Sequence, residues 1–153
     1  MVSPEDVTQL IAQTAACIAQ LKKIGVIQST DDIPLAYAKW FSAQHLSLEL
    51  VASSPQIGYD ARSKYGDRIQ IKKQLGSDTN FEATFGDVHL NSIDYLFIIF
   101  MAEKTWGITS IYQVPRDILL RFVNSDQTTF QWCGELRSLS LQVYPWDDNT
   151  ILL

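Results

Sequence analysis

Sulfur and imidazole are scarce in this chain, with two cysteines and two histidines in 153 residues. Cys17 and Cys133 lie far apart and fit no metal-ligand spacing, so both read as free thiols in a reducing compartment. His45 and His89 have no partner at catalytic or ligand spacing and read as surface or helix-end residues. Long apolar runs are missing too. The longest, Tyr95 to Ala102, falls far short of the roughly 18 residues a membrane helix needs. Met1 to Gln9 holds acids but no Lys or Arg, which argues against a secretory signal. These absences point to a cytoplasmic protein. There is no Gly-rich phosphate loop, no GxSxG elbow, no HExxH and no Cys/His zinc pattern, and no internal repeat.

What is present suits a single α/β domain with one sizeable core, with residues 1–25 as an N-terminal helix and 124–153 as a C-terminal extension. Pro4 to Ile24 predicts an amphipathic helix capped by Ser3, with Val7, Leu10, Ile11, Ile18 and Leu21 as its stripe and Gly25 as its stop. That stripe is either core or a dimer surface. A second helix is expected from Ile33 to about Gln44, with Asp32 as cap and Pro34 in the first turn. Leu46 to Val51 alternates like a strand. Asp94 to Ala102, nearly all apolar, reads as a central buried strand, with Gly107 to Val114 as its neighbour. Pro115 opens a further helix ending at Asn124. Thr128–Trp132 and Leu139–Tyr144 look like two more strands, separated by Gly134 and Glu135, and Gln74–Asn80 reads as a loop before a short strand at Phe81–Thr84.

Chemistry concentrates between Gly58 and Lys73, in the stretch GYDARSKYGDRIQIKK. It reads as a β-hairpin with Tyr59 and Asp60 on one strand, Arg68 to Lys73 on the other, and a turn near Tyr65, Gly66 and Asp67. A hairpin symmetric about Tyr65 sets Asp60 across from Gln70. Lys72 projects to the same side as Gln70, while Ile69 and Ile71 project to the other and enter a core. A carboxylate, an amide and an ammonium then share one surface. Spacing alone is better served by a surface ion pair between Asp60 and Lys72, bridged by the amide and worth at most about 1 kcal/mol. Net charge is −5, which opposes contact with a polyanion. Yet five of the twelve basic residues, Arg62, Lys64, Arg68, Lys72 and Lys73, lie within this hairpin. They form either a nucleic-acid-binding patch or the charged guard that keeps exposed strands from pairing. The tryptophans Trp40, Trp106, Trp132 and Trp146 suit base stacking or core packing alike.

The order Asp, short hairpin, Gln-Ile-Lys resembles the PD-(D/E)xK nuclease superfamily, in the branch where glutamine replaces the second acid. A preceding helix rich in Ala and aromatics and a following apolar strand with a Pro-started helix extend the similarity over roughly the middle two thirds of the chain. The resemblance implies a restriction-endonuclease-like mixed sheet and Mg²⁺- or Mn²⁺-dependent phosphodiester hydrolysis, most readily in DNA. It also implies a catalytic set of Asp60, Gln70 and Lys72, with the metal held by Asp60, Gln70 and the Ile71 carbonyl. Hard cations of this kind take oxygen ligands and keep several waters. Lys72 would position the nucleophile and offset phosphate charge. The same resemblance admits a homodimer or a subunit of a larger complex, and a nuclease-like module without catalysis that binds nucleic acid or protein. In one respect the chain departs from the family: its helix often supplies a further Glu, and Leu35 stands there.

Overall fold

The computed structural model describes residues 2–28, 32–52 and 57–145, with helices and strands that form two sheets. The chain opens with helix α1 (Pro4–Lys23) and helix α2 (Ile33–Leu46). Strands β1 (Glu49–Leu50), β2 (Ala61–Arg62) and β3 (Arg68–Leu75) follow, then β4 (Thr84–Phe85), a 3-10 turn at Leu90–Ser92, and β5 (Tyr95–Met101). Strand β6 (Ile108–Pro115), helix α3 (Arg116–Leu119), β7 (Phe130–Gln131), helix α4 (Gly134–Leu139) and β8 (Leu141–Tyr144) complete it.

The larger sheet has six strands in the order β1-β2-β3-β5-β6-β8. It is mixed, since β3 and β5 run parallel while the other neighbours are antiparallel. Strand β5 is apolar throughout because both its faces are covered. Leu96, Ile98 and Phe100 face a core shared with the small β4-β7 sheet, α3, α4 and the buried Trp132. Phe97, Ile99 and Met101 face a second core built with Ile69, Ile71 and the α2 residues Ala38 and Phe41. No helix among the described residues is long and apolar enough to cross a membrane.

Local rules explain both helix starts. Ser3 and Asp6 form a reciprocal capping box ahead of Pro4, and the Asp32 carboxylate accepts the Leu35 N–H at 3.0 Å. Five expectations need correction. Leu46 to Val51 is not a continuous strand: α2 runs on to Leu46, where Phe41 and His45 stack one turn apart, and Ser47 stops it at φ 55°. Only Glu49 and Leu50 remain extended. Gln74 and Leu75 stay in β3 rather than starting a loop, because β5 offers them a parallel ladder, and the short strand expected at Phe81–Thr84 comes later, at Thr84–Phe85. The helix after Pro115 is one turn long, and a Val123–Phe130 bridge takes up the chain beyond it. The two tail strands belong to different sheets, with β7 on β4 and β8 on β6. Between them α4 is too short for a 3.6-residue period to show in the sequence.

Candidate active site where the short hairpin strand ends

The hairpin has the expected register. Ala61 pairs with Ile69 and Arg62 with Arg68, and the Asp60 N–H donates to the Ile69 carbonyl at 2.7 Å. The strand expected at Tyr59 and Asp60 instead spans Ala61 and Arg62, and Asp60 lies just before it, bonded to Ile69 and Ile71 of β3 rather than paired with Gln70. Strand β2 ends at this point, and the Asp60 carboxylate takes over where the ladder stops: its Oδ2 accepts the Ile71 N–H at 2.7 Å. A strand residue presents its N–H and C=O to the same neighbour. The Ile71 carbonyl thus projects to the edge on which Asp60 lies.

The other carboxylate oxygen, Oδ1, lies 3.0 Å from the Lys39 ammonium, and both side chains are about four-fifths buried. Sequence reasoning missed Lys39. A usable signal was present: it is the lone Lys or Arg in α2 and lies one turn beyond Leu35, so the two share a helix face. A cleft of about 480 Å³ opens beside the pair, walled by Asp32, Leu35, Lys39 and Trp40 of α2 and its cap, and by Leu50, Val51 and Asp60 opposite. Leu35 thus does line the space next to Asp60, with an apolar side chain.

Gln70 is 6% exposed and committed at both ends. Its Nε2 donates to the Asp87 carbonyl at 2.8 Å, and its Oε1 accepts the His89 N–H at 3.0 Å. The amide ties β3 to the 86–92 segment, which Gly58 also meets closely. A Cβ at Gly58 would come within 2.7 Å of the Ser92 hydroxyl, and its φ of 75° favours glycine independently. His89 enters the site by its backbone, while His45 sits in the last turn of α2 against Phe41.

Lys72 lies beside Gln70 on the sheet and is half-buried. Burial pushes its ammonium below the ordinary lysine value, and Lys39 adds to the fall, against the opposing pull of Asp87 and Asp60. Four charges therefore act on one another here, two of each sign. Asp87, at φ 54°, carried no sequence signal.

The remaining basic residues divide. Arg62 donates to the Tyr59 hydroxyl from Nε at 3.1 Å, and Lys64 lies 5.1 Å over the Tyr65 ring. Both are exposed. Arg68 pairs with Asp94 at 3.3 Å, a contact that holds the Asp94 carboxyl below its usual range. Lys73 points to the α2 side and reaches Asp32 at 3.7 Å. Of the tryptophans, Trp132 is fully buried, Trp106 is exposed, Trp40 lines the cleft, and Trp146 lies outside the described residues.

Among the described residues, no three His, Cys, Asp or Glu side chains gather as a metal-holding group. Each Asp60 oxygen has one recorded partner and keeps a further lone pair, and the Ile71 carbonyl faces the same edge, whereas Gln70 Oε1 is engaged by the His89 N–H of the 86–92 segment. No family model matches the chain, and no curated protein matches it.

Proposed function

We propose that this chain is a metal-dependent endonuclease of the PD-(D/E)xK kind, on a restriction-endonuclease-like fold, hydrolysing phosphodiester bonds in DNA. One observation carries the reading: β2 stops at Asp60, so its carboxylate, the Ile71 backbone and the charge of Lys72 meet at an open strand end beside a cleft. The donor set fits Mg²⁺ or Mn²⁺, hard cations that bind through one or two carboxylates and complete their shell with water and phosphate. Such an ion supplies a water of lowered pKa and offsets charge developing on phosphate oxygen. Asp60, Gln70 Oε1 and the Ile71 carbonyl would hold it.

The chain's own residues do the rest. Gln70 and Gly58 fix the 86–92 segment, which sets Asp87 near Lys72. Lys72, half-buried and under the attraction of Asp87 and Asp60, would offset charge on the incoming phosphate and orient the attacking water. Its depressed pKa also makes the proton easier to give up than that of a solvated lysine. Lys39 must leave Asp60 Oδ1, or share it, when the divalent ion binds. Arg62 and Lys64 are the exposed cations that would meet the DNA backbone.

A second reading, a nuclease-like module without catalysis that binds nucleic acid or protein, is favoured by the Lys39–Asp60 bridge and by Leu35. Supercoiled plasmid decides between them. The first reading expects Mg²⁺- or Mn²⁺-dependent nicking that chelation stops and that Lys72→Ala lowers on the order of 100-fold or more. Equal nicking by parent and variant removes Lys72 from the mechanism. Calorimetric titration with Mn²⁺ gives the complementary answer: no heat with or without DNA supports the module.

A further inference from the structure

Helix α1 is 20 residues long, and none of them is buried. Val7, Leu10 and Ile11 are 49%, 58% and 65% exposed along an apolar stripe that, among the described residues, no element covers over this half of the helix. Toward the other end Ile18 and Leu21 are half-buried, where the chain turns back through Val26 and Ile27. A stripe of this size on a water-facing helix asks for a partner.

The pattern of the stripe says which one. Its members, Val7, Leu10, Ile11, Cys17, Ile18 and Leu21, are distributed symmetrically about Thr14. Reversing the helix end for end about that residue carries each stripe position onto another stripe position. At 100° per residue the same reversal keeps them centred on one face. The charges at the ends follow the reversal with opposite sign: Glu5 and Asp6 in the first turn exchange places with Lys22 and Lys23 in the last. A self-complementary surface of this kind is what a two-fold interface requires, since each patch must meet its own copy.

We propose that α1 is a homodimerisation helix, which packs antiparallel on α1 of a second copy with Thr14 on the two-fold axis. Val7 then meets Leu21 of the other chain, while Leu10 and Ile11 meet Cys17 and Ile18. The acidic end of each helix lies level with the basic end of its mate, whereas a parallel pair would set like charges together. The interface approaches roughly 1,000 Å², the low end for a stable association, so a dissociation constant on the order of 10 µM is expected. The inference is independent of any nuclease activity.

Sedimentation velocity of the full chain from roughly 1 to 100 µM tests it directly. A monomer–dimer equilibrium is expected, and Ile11→Asp should leave a monomer. Ile11 is exposed, so the variant should keep its fold, and unchanged thermal unfolding checks that. A chain that stays monomeric throughout, or an Ile11→Asp variant that still dimerises, overturns the proposal. Orientation is read from Leu10→Cys with native Cys17 retained. Mild oxidation should yield a disulfide peptide joining Cys17 to the new thiol on the other chain. Disulfides linking identical positions would mean a parallel pair and would equally overturn it.

Discussion

Two clusters in this fold pair carboxylates with cations, and they are put to different uses. Around Asp78 every donor is spent locally. The Tyr112 hydroxyl donates to its carboxylate at 2.6 Å, Arg137 lies 3.5 Å from the same oxygen and 3.0 Å from the Tyr112 hydroxyl, and Trp132 donates to the Asp78 carbonyl at 2.8 Å. Burial raises the Tyr112 pKa, which keeps its proton on that bond. Around Asp60, by contrast, the strand ends, a cleft opens and Lys72 remains half-buried under the influence of two carboxylates. A closed network fastens α4 and the 77–80 turn onto the sheet. An open one keeps ligand capacity in reserve. Matching residue types therefore do not decide role; unspent lone pairs and access do.

The contrast breaks most visibly under paired substitution. Asp78→Ala leaves the Tyr112 hydroxyl and the Arg137 guanidinium without their acceptor and should lower unfolding free energy by about 2–3 kcal/mol. Nicking at permissive temperature should be unchanged. Asp60→Ala should lower nicking on the order of 100-fold or more, and, because the largely buried Lys39 and the Ile71 N–H lose their acceptor, should also cost about 2–3 kcal/mol. Thermal unfolding and a plasmid assay read both, and similar nicking by the two variants would erase the distinction.

Gln70→Glu sharpens it further. A carboxylate there can still accept the His89 N–H but has no proton to donate to the Asp87 carbonyl, so a loss of about 1–2 kcal/mol in urea unfolding is expected. Divalent-ion affinity measured by calorimetry should nonetheless rise, because the site gains an anionic oxygen. A fall in both would restrict Gln70 to fastening the 86–92 segment.

The smallest effect concerns Lys72. Its folded-state pKa lies below the ordinary 10.5, so the folded protein binds that proton more weakly than the unfolded chain. The resulting penalty is complete below the folded value and fades as pH climbs from there to 10.5. Lys72→Met should consequently be more stable than the parent at neutral pH, by no more than about 1 kcal/mol for a half-buried group. The advantage should shrink in alkaline buffer. A variant less stable than the parent at pH 7 would mean that attraction to Asp60 and Asp87 outweighs burial.

The hairpin was legible in the sequence because strand periodicity is local: Ile69 and Ile71 against Gln70 and Lys72 fixes the faces, and turn symmetry fixes the register that sets Ala61 on Ile69. The buried β5 was legible from its unbroken apolar run. What escaped depended on distant chain. Nothing near Gln70 says that its amide will be taken by backbone 17 and 19 residues later. Asp87 enters the neighbourhood of Lys72 on a segment that Gln70 ties to β3 and that Gly58 lets approach at His89 and Ser92. Lys39 was accessible to reasoning, since a cation on an otherwise apolar helix must find an anion when it is covered. The end of α2 misled because Leu46, Leu48 and Leu50 alternate as well in a strand as in a helix followed by an extended turn.

The brevity of β2 has one more effect. Among the described residues no strand joins β3 on that side beyond Ile69, so its outer rim runs bare from Lys72 to Leu75. Unsatisfied rims invite stray chains to add themselves, and a charged side chain at consecutive positions is a common deterrent. Lys72 and Lys73 supply that deterrent on opposite faces of the same rim, which makes the proposed cation site and the protection against fibre growth two consequences of one truncated segment.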